Sequence, residues 1–113
     1  MRKNPEYGTE RTASYTAKRL LLSRGFSVMM AAGHELFDLV AWRGKDEMIF
    51  LLVKSSRSPV SIGSYRPEVR KLTSIVKENS HPGEIQFWIK SWNEWLRYRI
   101  LPGGAVSIGG DLL

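Results

Sequence analysis

The chain of 113 residues has no cysteine and only two histidines, His34 and His81. A disulfide framework and a thiolate zinc site are therefore excluded, and any metal would be held mainly by oxygen. Long apolar runs are missing as well. The longest, Met48 to Val53, falls far short of the roughly 20 residues needed to span a bilayer, and no charged-then-apolar leader opens the sequence. The expectation is a cytoplasmic protein folded as a single domain over residues 1–113. Acids are scarce: 11 Asp and Glu stand against 17 Lys and Arg, a formal charge of +6. That excess is the footprint of a phosphate-bearing partner, although many small proteins are basic, so the placement of the charge must decide.

What is present reads as alternating helices and strands. Between Pro5 and Arg24, Ala13, Ala17, Leu20 and Leu21 recur at helical spacing, and Gly25 stands where a helix C′ glycine belongs. Phe26 to Ala31 and Phe37 to Trp42 read as strands, and Arg43-Gly44-Lys45-Asp46 as a hairpin turn into a third strand. That third strand is apolar at every position from Met48 to Val53, which predicts burial on both faces and a central place in the sheet. Ser55 to Gly63 reads as a polar loop. Pro67 suits the first turn of a second helix, which carries Val69, Leu72, Ile75 and Val76 on its inner stripe and ends near Asn79. Ile85 to Lys90, Trp95 to Leu101 and a short Ala105 to Ile108 complete the strands. On Trp95 to Leu101, alternation puts Leu96, Tyr98 and Ile100 on one face and Trp95, Arg97 and Arg99 on the other. The order predicts an α/β fold, a mixed sheet of about five strands with helices on both sides.

Chemistry concentrates at two strand ends. Asp38 opens the strand Asp38-Leu39-Val40-Ala41, and Lys54 closes the apolar strand at Val53-Lys54. Together with Leu22-Ser23-Arg24-Gly25-Phe26-Ser27-Val28 and Glu68-Val69-Arg70-Lys71-Leu72, this arrangement resembles the PD-(D/E)XK, or restriction-endonuclease-like, nucleases. Within them it is most like the archaeal Holliday-junction resolvases. The resemblance implies a two-acid magnesium site, a lysine that orients the attacking water, and a glutamate on the first helix. Magnesium prefers oxygen ligands, and alternation puts positions 52 and 54 on one face, which is why an acid two before the lysine serves that chemistry. Here that position is Leu52, and the helix position expected to carry glutamate is Ser14, with Glu10 one turn earlier. No acid lies between Glu47 and Glu68, so no slip of register restores the missing carboxylate.

Asp38, Lys54 and Glu10 are accordingly the candidate catalytic residues, and Asp38, Glu10 and Glu35 the candidate magnesium ligands. Glu68 and His34 are further groups that could rescue a site. Each has a plainer reading: His34 and Glu35 as solvated loop residues, Glu68 as a favourable charge at a helix N-terminus, Lys54 as a lysine reaching for water. Candidate DNA-binding residues are Arg2 and Lys3 at the start and Arg66, Arg70, Lys71 and Lys77 on the outer side of the second helix. No acid is interleaved there between Glu68 and Glu78. Such a stripe touches phosphates without reading bases, which implies branched or duplex DNA. Among the tryptophans, Trp92 in its turn is the one expected to be exposed, and it could serve a homodimer contact. Three functions follow: a DNA-binding protein with weak or absent hydrolysis, a magnesium-dependent endonuclease with a relocated acid, or a scaffold for protein assembly.

Overall fold

A computed structural model of the chain describes residues 10–31, 36–92 and 94–109, with the backbone alone at Glu10 and Arg11. Helix α1 spans Glu10–Ser23. Ala13, Ala17 and Leu21 lie buried along one side, as their spacing predicts. The helix closes in a Schellman turn: the Phe26 N–H donates to the Leu21 carbonyl, and the Gly25 N–H to that of Leu22, with Gly25 at φ +88°. Beyond Phe26, itself buried, the chain enters β1 (Ser27–Met30) and, later, β2 (Leu39–Arg43) and β3 (Glu47–Ser56).

A 3-10 turn (Ile62–Tyr65) leads into helix α2, Arg66–Glu78, with Pro67 in its first turn. Asn79 takes the left-handed cap position that glycine holds after α1, and the N–H groups of Asn79 and Ser80 close the end on the Val76 and Ile75 carbonyls. Strands β4 (Glu84–Ser91), β5 (Glu94–Leu101) and β6 (Gly104–Ser107) follow.

The six strands form one sheet in the order of the chain, β1-β2-β3-β4-β5-β6. All neighbours are antiparallel except β3 and β4, which run parallel because α2 carries the chain back between them. The expected central place of the third strand is realised. Alternation then divides the core in two. Ile49, Leu51 and Val53 face α1 with Leu39, Ala41 and the fully buried Trp88. Leu52 joins Leu72 of α2 and Ile85, Phe87 and Ile89 of β4 on the opposite face. Leu96, Tyr98 and Ile100 join this second cluster and Trp95 the first, as the alternation of β5 requires.

Boundaries differ in two informative places. The segment expected to begin a polar loop at Ser55 is still strand: Ser55 and Ser56 pair with Lys90 and Ser91, because β4 runs alongside long enough to satisfy them. The second strand begins at Leu39, leaving Asp38 just outside it. No helix among the described residues is long and apolar enough to cross a membrane.

Candidate functional site

Asp38 is tied into the sheet by backbone and side chain together. Its N–H donates to the Leu51 carbonyl at 2.9 Å, and its own carbonyl accepts from the Ala31 N–H at 2.9 Å. The register pairs Leu39 with Leu51, so β2 has no residue left to meet the next outward-pointing amide of β3, that of Val53. The Asp38 carboxylate takes that place, with Oδ2 accepting the Val53 N–H at 2.7 Å. One carboxylate oxygen therefore extends the hydrogen-bond ladder, immediately beside Lys54. A half-buried amide without a partner is costly, so Asp38 has structural work whatever else it does.

Leu52, where the resembled nucleases carry an acid, is 6% exposed and packs with the α2-side cluster. Beyond it, toward the C-terminal end of β3, Leu52 and Lys54 border a small cleft of about 150 Å³ with Leu36, Pro67, Glu68 and Lys71. Two lysines and one glutamate thus line the cleft where the first two turns of α2 pass the end of β3. The sum is positive, and the helix N-terminus adds a partial positive charge.

The residues expected at the site are distributed unevenly. Lys54 and Lys71 come together, and Glu68 joins them in the first turn of α2, where its charge favours the helix. Arg66, Arg70 and Lys77 are exposed on α2 as expected but border a different groove, between α2 and the Pro102-Gly103-Gly104 turn that joins β5 to β6. Arg2, Lys3, His34, Glu35 and the side chain of Glu10 lie outside the described residues. The body of α1 packs against Ile49, Leu51 and Val53, the face opposite Leu52, and Ser14 is buried in it. Among the described residues no group of three or more His, Asp or Glu side chains is placed to hold a metal ion.

Arg97 and Arg99, which share a strand face as expected, are engaged within the molecule. Arg99 Nε pairs with Glu84 Oε2 at 2.9 Å, and the Arg97 guanidinium lies 5.7 Å from the Trp88 ring centre. Glu84 also accepts from Gln86 Nε2, and Gln86 Oε1 accepts the Trp88 indole N–H at 2.8 Å, so the buried tryptophan keeps its hydrogen bond. A second pair, Arg43 with Glu47, holds the guanidinium above and the carboxylate below their ordinary values through a direct hydrogen bond. Trp92 is 63% exposed, as expected, in a turn where its own φ is +59°.

The mixed sheet with its one parallel pair, a helix on each face and an Asp and Lys at adjoining strand ends make this a restriction-endonuclease-like fold. Among solved structures that share it is Hjc, a Holliday junction resolvase from the archaeal hyperthermophile Archaeoglobus fulgidus. The match has a TM-score of 0.60 at 19% sequence identity, over 80% of this chain and 72% of that one. No protein-family model matches the chain. No curated protein matches it either.

Proposed function

We propose that this chain is a DNA-binding protein built on the resolvase-like fold, in which metal-dependent hydrolysis of phosphodiesters is weak or absent. The observation that carries the reading is the residue at the position where the resembled nucleases carry an acid: Leu52, buried in the core on the α2 side and bordering a cleft that Lys54, Lys71 and Glu68 also line. Lysines at a strand end and in the second turn of a helix attract phosphate oxygens and hold them by charge, with no preference among bases. The likeness to a Holliday junction resolvase supports branched DNA as the ligand, and a cytoplasmic homodimer suits a two-fold junction.

Binding to a four-way junction and to linear duplex across a salt series tests the reading. Each phosphate contact should contribute about −0.9 to the slope of log K against log salt on duplex DNA. Absence of salt-sensitive binding would leave the scaffold alternative. Cleavage assays with magnesium or manganese address the hydrolytic part, where no cutting above background is expected.

A second reading has its own observation. Glu68 shares the cleft with Lys54, so it is the relocated acid an active endonuclease would use. Cutting that is lost in both Glu68→Gln and Asp38→Asn would establish that reading in place of the first.

A further inference from the structure

The turn between β4 and β5 carries an unusual residue for its shape. Ser91 and Glu94 are register partners, so only positions 92 and 93 lie between them. Two-residue hairpin loops take positive φ at the first central residue and favour Asn, Asp or Gly there. Here it is Trp92, at φ +59° and 63% exposed. A bulky side chain strains a left-handed backbone, and an exposed one recovers little by burial. The fold alone gives no reason for tryptophan at this position, and strain of this kind gathers where a protein meets a ligand. The tip is also held in place. Its N–H donates to the Ser56 carbonyl at 3.4 Å, and the Ser91 and Ser56 hydroxyls both donate to the Ser58 carbonyl, at 3.3 and 2.7 Å. Because β3 and β4 run parallel, the tip stands at the Lys54 end of the sheet, with Lys54 two residues before Ser56. The segments tied together there, 54–58 and 90–94, carry three cations, Lys54, Arg57 and Lys90, and one acid, Glu94.

We infer that Trp92 stacks on the face of a nucleic-acid base at a point where the base stack is interrupted. The inference rests on the DNA-binding reading proposed above and adds to it a contact that charge does not make. Two features choose the occupant. The cations around the tip draw a phosphate chain to it, and an indole face stacks on any base that chain presents. A second copy of this chain is a poor alternative, because a two-fold contact through the tip would set Lys54 and Arg57 against their own counterparts. The chemistry of stacking then limits where on DNA the contact forms. In a continuous duplex the neighbours cover both faces of each base, so the indole needs an unpaired base, an end or a branch. A tip fixed by hydrogen bonds gives up little freedom when it makes that contact.

The experiment uses the full chain and three probes, read by fluorescence anisotropy and competition. They are a single-stranded oligonucleotide, an abasic chain of the same length, and relaxed closed-circular duplex. Trp92→Gly should lose at least about fivefold in affinity for the oligonucleotide, the low end for one stacked base. Its salt slope should be unchanged, because stacking releases no counterions. On the abasic chain and the closed duplex it should stay within about twofold of wild type. Trp92→Tyr keeps an aromatic face and should stay within about threefold on all three probes. Glycine takes positive φ freely, so Trp92→Gly should have a Tm no lower than wild type, and its binding loss is then not a loss of fold. An oligonucleotide affinity equal to wild type, or an equal loss on the abasic chain, would overturn the inference while leaving general DNA binding standing. So would a lowered Tm, or a wild-type dimer that Trp92→Gly splits in sedimentation. If the wild type binds none of the probes, this inference and the proposed function fall together.

Discussion

Leu52→Glu is the most direct probe of the site, because it returns an acid to the position two before Lys54. The substitution first costs packing. Leu52 is almost completely buried against the α2-side cluster, and exchanging its branched end for a carboxylate forfeits about 1.5 kcal/mol of apolar burial. Desolvating the new charge adds about 1–3 kcal/mol, partly offset by Lys54 and Lys71 on the same cleft. The expected net loss is about 2–3 kcal/mol, or a fall in Tm of roughly 10–20 °C for a domain of this size. Divalent metal should then recover part of the loss. With Asp38 beside Val53 and a carboxylate at 52, magnesium at ten times its Kd would restore about 1.4 kcal/mol. Thermal unfolding with and without magnesium or manganese reads both effects. Leu52→Gln, which loses the same packing without the charge, should show the fall and no recovery. A Tm of Leu52→Glu that ignores metal, or a wild-type Tm that rises equally, would refute the alignment of this strand with the nuclease site.

Asp38→Ala should destabilise by about 1–3 kcal/mol in urea titration by orphaning the Val53 N–H, and Asp38→Asn by no more than about 1 kcal/mol because an amide oxygen can still accept it. Equal losses would remove the ladder role argued for this carboxylate. Gly83→Ala should cost about 1–3 kcal/mol, since its Cβ would lie 2.7 Å from the Met48 carbonyl oxygen and backbone would have to move. A Tm equal to wild type would contradict that packing. The Glu47 carboxylate is held below its ordinary value by Arg43, so its contribution is present above the unfolded value and is lost as pH falls through the folded one. Glu47→Gln should therefore flatten the acid limb of the Tm–pH curve slightly, the pair being exposed. Superimposable acid limbs would show that the pair adds nothing.

Element types were legible because their signals are local. The Ala13, Ala17 and Leu21 spacing, the glycine after α1 and the unbroken apolar strand each state their burial in consecutive residues. What was not legible depends on register between distant segments. That Asp38 caps the Val53 amide follows from where β2 stops against β3. Arg99 reaches Glu84 only because β5 folds back along β4, which turns an apparent piece of basic surface into an exposed ion pair. The split of the α2 cations between two flanks likewise depends on the β5–β6 turn standing beside the helix, a neighbour that helical periodicity cannot reveal. Candidate ligands could be named from spacing alone; convergence is a property of the sheet.

The leucine at position 52 links the chemistry to the core. It pairs across the parallel ladder with Phe87 and shares its cluster with the fully buried Leu72. An acid in such surroundings is tolerated when a cation compensates it and is otherwise penalised by desolvation. On the proposed reading, loss of metal would favour an apolar residue there, and an apolar residue would in turn weaken metal binding. Lys54, Lys71 and Glu68 line the same cleft. On that reading, affinity for DNA is retained without hydrolysis, because phosphate contacts need charge and hydrolysis needs a metal as well. A measurable consequence separates the two cases. In a metal-dependent binder, magnesium strengthens DNA association, whereas here magnesium should act only as a competing counterion and weaken it.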